Sequence, residues 1–330
     1  MTSFSGVLIV KPWGGLGNRV RVIASFELLA RYTGRAFRVC WAPSDGFSDE
    51  TLDELFENEF DQVDAVEFTR SGDRSLRLDR FRGTPGDASG EPKTSVEALR
   101  DGRAQPIVTY EGCFRLDGAL RPPLPDLPTT FDAEYRTAVR SWRPVEPIRN
   151  SVDAISRQFD SSTVGVHARR GDALHHKETK TRARCSTDGA FFRRMDVLLA
   201  ADSSVRFFLA TDCEVTEARF VDRYGDRIQT NDAKRFVPSH VDGPKENQRD
   251  AVIDLFALAR TQMILGSYAS SFSEVAGAIG DVAVERVGSY PTLQLVRNKV
   301  VFETQRLLGR MHGREHTASR LERPAGQGPS

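Results

Sequence analysis

The chain alternates short apolar runs with amphipathic helical stretches in two separate regions, and this alternation constrains its fold more than any other feature. In the first region, an apolar run at 6–10 precedes a glycine-rich turn, helical periodicity over 18–32 that ends before Gly34, and a second strand at 36–42. In the second region, helical stretches separate five predicted strands: 163–168, 205–211, 227–229, 262–266 and 281–287. Such alternation predicts an α/β protein with mostly parallel sheets.

The 330 residues and the two alternating regions together predict two domains, 1–145 and 146–305. Between the regions lie a further predicted strand at 106–114 and two helices at 131–142 and 147–159. Residues 70–95 are rich in Gly, Ser, Asp and Arg, which indicates a long surface excursion. The last residues, 306–330, are predicted to form a disordered tail.

Composition excludes several classes of protein. The formal net charge is zero, so we expect no nucleic-acid partner. None of the four cysteines forms a CxxC pair, which argues against a zinc site. The apolar run at 6–10 lacks a basic flank and is too short for a signal peptide, and no stretch approaches the ~20 apolar residues of a membrane span. We expect a reduced, cytoplasmic enzyme without a transmembrane segment.

The turn GGLGN at 14–18 lies between a strand and a helix. Glycines such as Gly15 and Gly17 let the backbone approach a ligand, and the free N–H groups of a helix start attract anions. A plain tight turn is the structural alternative. A dinucleotide site, and with it a nicotinamide-dependent oxidoreductase, is disfavoured because the third glycine of GxGxxG falls at Val20 and the nearest acid beyond the next strand is Asp45.

The stretch VGVHARRGD carries a predicted strand directly into two arginines. Residues two apart in a strand share a face, so His167 and Arg169 are expected on one side and Arg170 on the other. Ligands bind at the carboxyl ends of such strands, and a guanidinium has the geometry to bind a phosphate. The structural alternative is a salt bridge to Asp172. An adhesion function of the RGD triplet is disfavoured because the triplet finishes a buried strand.

Two further carboxylates, Asp212 and Asp254, are candidates for the site. Asp212 ends the strand FFLATD, where it could face a sugar hydroxyl or pair with Arg169 or Arg170. Asp254 lies in an apolar helix and must therefore be paired. Its partner is either a group of the protein itself or the adjacent N1–H and N2–H2 donors of a guanine ring.

A hydroxyl-rich turn precedes the last predicted helix. Ser270 or Ser271 is expected to cap the helix that starts near Phe272, and the same groups could hold phosphate oxygens. No DxD-like pair of carboxylates follows a strand, so we expect no bound metal. The charge of a diphosphate would then be balanced by cations of the protein.

Taken together, five segments resemble, in the same order, those of the GDP-fucose-dependent fucosyltransferases, the family of nodulation and core α1,6-fucosyltransferases and protein O-fucosyltransferases. The segments are GGLGNR, HARRGD, FFLATD, VIDLFALAR and SSFSEVAG, and the resemblance covers roughly 6–40 and 160–290. It implies a GT-B-like fold of two facing Rossmann-like domains. The N-terminal domain would face the acceptor and the C-terminal domain would bind the GDP-sugar. It also implies inverting, metal-independent transfer of fucose from GDP-fucose, without a further cofactor, to a hydroxyl of a glycan acceptor.

The resemblance also implies roles for single residues. Arg169 would hold the β-phosphate, His167 would lie beside the pyrophosphate and Asp254 would bind guanine. Asn18 would reach across the cleft from the facing domain. Contacts to the phosphates or the ring edge would come from three consecutive residues, Ser270, Ser271 and Phe272.

The family pattern is not complete in this chain. The glutamate proposed as base in the core enzymes falls on Lys177, while Glu178 lies one residue further and Asp172 is another candidate. A non-catalytic GDP-sugar-binding relative is therefore one alternative. An α1,2-fucosyltransferase-type enzyme is another, although those enzymes usually carry aromatic residues at the positions of Glu274 and Val275. The acceptor stays open among a chitin oligomer, a lipopolysaccharide sugar and a protein hydroxyl. Its contacts are expected from 47–95 and 173–184.

Overall fold

Two parallel β-sheets organise the chain in a computed structural model that describes residues 6–42, 50–72, 96–101, 107–111, 126–170, 185–236 and 247–288. The first sheet has the strand order β2-β1-β3, and the second has the order β6-β5-β4-β7-β8. Their bounds are Val7–Pro12 (β1), Ala36–Val39 (β2), Ile107–Glu111 (β3), Thr163–Ala168 (β4), Arg206–Thr211 (β5), Ile228–Gln229 (β6), Met263–Ser267 (β7) and Ala283–Val287 (β8). All the described residues belong to one compact unit.

Helices connect these strands and cover the sheets. Their bounds are Leu16–Thr33 (α1), Leu52–Leu55 (α2), Ala65–Gly72 (α3), Val96–Asp101 (α4), Phe131–Arg140 (α5), Glu146–Ser156 (α6), Asp188–Ala201 (α7), Glu214–Tyr224 (α8), Gln248–Leu258 (α9) and Ser271–Gly280 (α10). A 3₁₀ turn at Gly225–Arg227 leads into β6. None of the described helices combines the length and the apolar character that crossing a membrane requires.

The central strand β4 is buried along its whole length, because helices cover both faces of a parallel sheet. The apolar residues of β4 and of the neighbouring strand β5 divide between two separate clusters. Val164 and Val166 pack with Phe191 of α7 in one cluster, whereas residues of the opposite parity in the neighbouring strand, such as Phe208, join a larger cluster with α1, α9 and α10. The face on which a residue of β4 or β5 lies therefore decides which helices it contacts.

In each sheet, the strand that comes first in the chain lies between two later strands, so the strand order reverses direction at that first strand. In the first sheet β2 and β3 flank β1, and in the second sheet β5 and β7 flank β4. Ligands of open parallel sheets bind in the crevice that forms outside the strand ends at such a switch point. The glycine turn after β1, the arginines after β4 and the serines after β7 all lie at these strand ends.

The start of α1 packs directly on the start of α10. A Cβ atom added to Gly17 would lie 2.6 Å from the backbone nitrogen of Phe272 and 2.8 Å from the carbonyl carbon of Ser271. Only glycine permits this approach of two backbones. The contact joins the glycine turn of the first sheet to the serine-rich turn of the second.

The predicted α/β fold with parallel sheets is confirmed. The predicted end of α1 is also confirmed, because Gly34 adopts the left-handed conformation with φ 65° and its N–H bonds the last turn. The short helices α2, α3 and α4 were not predicted. α2 has only four residues and depends on a capping box between Thr51 and Glu54 rather than on periodicity. The division of the chain at residue 145 stays a prediction, and the expected tail at 306–330 lies outside the described residues.

We predict that Gly17→Ala lowers the free energy of unfolding by about 1–3 kcal/mol, because the new methyl group must push two backbones apart. Gly189→Ala in the first turn of α7 is the matched control, since its Cβ would meet nothing closer than 3.7 Å. That variant should be neutral or more stable, because alanine favours a helix. Urea unfolding of both variants measures the difference, and equal stabilities would contradict the role of Gly17.

Candidate functional site

A pocket opens at the carboxyl ends of β4 and β5 and reaches the glycine turn that follows β1. It is lined by Gly15, Leu16, Gly17, His167, Arg169, Ala210, Thr211, Asp212, Lys234, Arg235, Phe236, Asn247, Asp250, Ala251, Asp254 and Phe272. The structure thus gathers most of the residues singled out in the sequence around one space. Segments that are far apart in the chain meet here because of the strand order of the second sheet.

Arg169 is held at this pocket by its backbone. Its N–H donates to Ser267 Oγ at 3.0 Å, and that hydroxyl donates to the carbonyl of His167 at 3.0 Å. The guanidinium lies beside Gly15, where an added Cβ atom would be 3.7 and 3.8 Å from its two terminal nitrogens. The turn therefore places a cation directly next to the N-terminus of α1.

Two helix N-termini face the same region, because α1 begins at Leu16 and α10 begins at Ser271 beside Gly17. The first N–H groups of a helix lack partners inside the helix and carry positive partial charge. Neither of these two helices has a side-chain cap at its N-terminus. Together with Arg169, these helix ends make the region suitable for an anion such as a diphosphate.

The position of the N-cap of α10 is close to the prediction, but the predicted hydrogen bond from a serine side chain to the first turn is not found. The helix begins at Ser271, one residue earlier than expected, and Ser270 occupies the N-cap position without bonding the first turn. Its hydroxyl instead lies 3.5 Å from His167 Nδ1. Both serines are buried beside the pocket.

His167 is buried and neutral. Its Nδ1 lies 2.8 Å from Ser273 Oγ, and its ring stacks on Phe272 with centroids 4.7 Å apart. Burial lowers the pKa of His167 to about 3, and the positive charges of Arg169, Lys234 and Arg170 act in the same direction. The imidazole therefore contributes packing and a hydrogen bond at neutral pH, and it contributes no charge.

Arg170 points to the other face of the sheet and has a structural role. Its guanidinium donates to Asp188 Oδ1 at 3.1 and 2.8 Å and to the carbonyl of Arg169 at 2.7 Å, and it lies over the ring of Phe191. A pairing of this guanidinium with Asp212 is therefore not found. Asp212 accepts from the backbone N–H of Arg170 at 2.5 Å.

Asp254 and Lys234 form a buried ion pair at the wall of the pocket. Lys234 Nζ donates to Asp254 Oδ2 at 2.5 Å and to the carbonyl of Thr211 at 2.5 Å. Burial raises the pKa of Asp254, and the charge of Lys234 opposes this shift. Burial alone would lower the pKa of Lys234, but the charge of Asp254 and its hydrogen bond outweigh burial and raise it.

Asn18 does not line the pocket. Its side-chain oxygen accepts from Arg21 at 3.2 Å on the same helix. The neighbouring Arg19 is fully buried, donates to the carbonyls of Gly14 at 3.1 Å and Ala42 at 3.2 Å, and lies over the Trp41 ring. Arg19, the last residue of the segment GGLGNR, therefore stabilises the conformation of the turn, a role that was not predicted from the sequence.

Two further groups of pocket residues were missed: Lys234, Arg235 and Phe236 after β6, and Asn247, Asp250 and Ala251 at the start of α9. The sequence predicted only a polar loop at 230–248. A usable signal for the first group was its position shortly after β6, because the carboxyl ends of all parallel strands meet at one edge of a sheet. The two candidate bases, Asp172 and Glu178, lie outside the described residues.

A second cavity is lined by Trp142, Phe256 and three arginines. Two of these arginines are paired with acids, Arg149 with Glu57 and Arg260 with Asp153. We therefore place the candidate site at the first pocket, where two helix N-termini and Arg169 meet. In the part of the chain that the structure describes, no group of three or more His, Cys, Asp or Glu side chains could hold a metal ion.

No protein-family model and no curated protein sequence matches the chain. Solved structures do match. The fucosyltransferase NodZ from Bradyrhizobium superposes with a TM-score of 0.51 at 18% identity, covering 82% of this chain and 92% of that chain. NodZ α-1,6-fucosyltransferase co-crystallised with GDP gives 0.52 at 17%, covering 82% and 91%. POFUT1 in complex with GDP gives 0.50 at 13%, covering 86% and 97%. The GT-B-like fold expected from the sequence segments is thus confirmed.

We predict that His167→Gln flattens the dependence of stability on pH. Between about pH 3 and pH 6.5 the unfolded chain protonates this imidazole and the folded protein does not, so wild-type stability falls as the pH falls. One such proton contributes up to about 1.4 kcal/mol per pH unit. Urea unfolding of both proteins from about pH 7.5 to pH 4.5 gives the difference in slope. Parallel curves would contradict a buried neutral histidine.

Proposed function

We propose that the protein is an inverting, metal-independent glycosyltransferase that moves fucose from GDP-fucose to a hydroxyl group of a glycan acceptor. The observation that carries this proposal is the convergence of Arg169 and the N-termini of α1 and α10 on one pocket. Its support from the comparisons is a shared fold, since the solved relatives include NodZ α-1,6-fucosyltransferase soaked with GDP-fucose, with a TM-score of 0.51.

In this proposal the leaving group is GDP, and Arg169 assists its departure. Negative charge grows on the β-phosphate as the bond to the sugar breaks, and fixed donors aimed at that charge lower the barrier. The backbone bond from Arg169 to Ser267 keeps the guanidinium in place before the reaction. Because the charge of a diphosphate is met by Arg169 and by helix N–H groups, the transfer needs no divalent cation.

Inversion follows from a single displacement, in which the acceptor hydroxyl attacks the anomeric carbon from the side opposite to GDP. His167 is not suited to be the base, because its buried imidazole has a pKa lowered to about 3. Asp172 and Glu178 stay the candidates for that role. Asn18 is proposed to act at the facing side of the site, next to the glycine turn.

The surroundings of Glu274 favour the α1,6 and protein O-fucosyl group over the α1,2 type. Its carboxylate pairs with Arg21 at 3.1 Å and with Arg286 at 3.0 Å, which links α1 to β8. The α1,2 enzymes that share the other segments usually carry aromatic residues here. An aromatic side chain could not make these two ion pairs.

We predict that GDP raises the melting temperature and that UDP, ADP and NAD do so only weakly, because the site is proposed to bind a guanine ring and a diphosphate together. A ligand that binds the folded state stabilises it in proportion to the logarithm of its concentration over Kd. Thermal melts with each nucleotide at equal concentration measure this effect. Equal protection by all four, or protection by none, would overturn the proposed donor class.

We predict that Arg169→Ala lowers the rate of fucose transfer and of GDP-fucose hydrolysis by ~100-fold or more, because the leaving group loses its main cation. The matched control is Arg223→Ala, because this arginine of α8 is paired with Asp196 of α7 and lies outside the pocket lining; the variant should keep full activity. Release of GDP from GDP-fucose is measured in the presence of EDTA, once without an acceptor, so that water is the only nucleophile, and once with each member of a panel of glycan acceptors. Full activity of the Arg169 variant would contradict the mechanism. GDP binding without any turnover by the wild type would identify a non-catalytic relative.

A further inference from the structure

The second cavity, lined by Trp142, Phe256 and three arginines, lies on the opposite side of α9 from the first pocket. Phe256 and Arg260 of α9 line it, whereas Asp250 and Asp254 of the same helix line the first pocket. Asp254 and Phe256 are two residues apart and therefore point about 200° away from each other around the helix axis. The cavity has a volume of about 410 Å³, which is within the roughly 300–1,000 Å³ of small-molecule sites. It is therefore a separate space of sufficient size for a small ligand.

One wall of this cavity is held by hydrogen bonds between two segments, 55–58 and 141–145. The N–H of Glu57 donates to the carbonyl of Arg143 at 2.8 Å, and the N–H of Arg143 donates to Asn58 Oδ1 at 2.8 Å. An antiparallel β-bridge joins the same two segments. The backbone that carries Arg143 is therefore fixed at the cavity before any ligand binds.

The buried indole of Trp142 has an unused hydrogen-bond donor at the cavity. The residue is only 3% exposed and is held by Phe56 and Phe60, whose ring centroids lie 4.7 and 5.4 Å from its own. Within the described ranges its N–H has no hydrogen-bond partner, although a buried tryptophan N–H usually has one. Because Trp142 lines the cavity, an acceptor for this N–H has to come from the cavity itself.

The arginines of the cavity leave one positive charge without a partner. Two of the three are paired with acids, as described above, so those acids are already neutralised. The side chain of the third, Arg143, forms no ion pair and no hydrogen bond with any residue that the structure describes. A guanidinium can bind the two oxygens of a carboxylate through two parallel N–H groups. The unused polar groups of Arg143 and Trp142 are both donors, and they favour an anion.

We propose that this cavity binds a small organic acid. Its carboxylate accepts from the guanidinium of Arg143 and from the N–H of Trp142, and its apolar body packs on the half-buried ring of Phe256 and on Val152. A carboxylate is favoured over a phosphate because the described lining supplies only one unpaired cation, which balances a single negative charge. The inference does not depend on the proposed function, because it concerns a different cavity and a ligand without a nucleotide.

The first test is a titration of the whole chain with para-fluorobenzoate, followed by fluorine NMR, with the neutral para-fluorobenzyl alcohol as the matched probe. We expect saturable binding of the acid with a Kd of about 10 mM or tighter, the range of a ligand of about ten non-hydrogen atoms. The alcohol should bind at least roughly tenfold more weakly, because it lacks the charge that Arg143 binds. No saturation by the acid, or equal binding of both probes, would overturn the inference. Binding of para-fluorophenyl phosphate that is roughly tenfold tighter than that of the acid would overturn the choice of a carboxylate.

The second test changes the two donors. Arg143→Gln should weaken the binding of para-fluorobenzoate at least roughly tenfold, because the charge of the guanidinium is lost. Trp142→Phe keeps a ring between Phe56 and Phe60 but removes the N–H, and it should weaken binding roughly threefold or more. An unchanged Kd in the Arg143 variant would contradict the proposed site. Arg143 is exposed, so its variant should fold, and it decides if the melting curve shows that the Trp142 variant does not fold.

Two control variants locate the binding. Arg136→Gln removes a charge of α5 that is paired with Asp132 outside the cavity, and it should leave the Kd unchanged. Arg169→Ala changes the first pocket, so it should also leave the Kd of para-fluorobenzoate unchanged. If Arg169→Ala abolishes binding while Arg143→Gln retains it, the acid binds in the first pocket and the inference is wrong. Equal losses in the variants of Arg136 and Arg143 would reveal an unspecific effect of charge and would also overturn it.

Discussion

The contact between the backbones of Gly17 and Phe272 is the constraint on which the arrangement of the site depends. It brings the first turns of α1 and α10 together, although one helix follows the first sheet and the other the second. Two helix N-termini and the guanidinium of Arg169 then lie side by side, each carrying positive charge. Such an arrangement is unfavourable by itself, and a bound anion relieves it. The structure therefore holds in place, before any ligand arrives, the charges that a diphosphate would need.

A chain of buried hydrogen bonds keeps this arrangement rigid. Ser267 at the end of β7 links the His167 carbonyl to the Arg169 N–H, and Ser273 on α10 bonds the His167 ring. Three elements are joined at one strand end by hydroxyl groups that can both donate and accept. A neutral histidine suits this position, because a protonated one would repel Arg169 next to it. The polar residues in this part of the core position the cation that faces the pocket.

Local patterns in the sequence predicted the strands, the main helices, the end of α1 at Gly34 and the clustering of His167 and Arg169 at a strand end. They could do so because strand alternation, helical periodicity and glycine turns act over a few neighbouring residues. They did not predict the short helix α2, which depends on its cap. They also missed Lys234, since no local sequence pattern distinguishes a lysine of a polar loop that is buried and paired from a lysine that is exposed.

What the amino-acid order decided is thus the type of each element, the face on which each strand residue lies, and the places where glycine lets backbones meet. The choice of partners was decided only by the tertiary structure. Arg170 pairs with Asp188 rather than with Asp212, and Asp254 with Lys234, because strand order and helix packing bring together residues that are distant in the chain. Burial depth has the same origin, and burial is what makes His167 neutral.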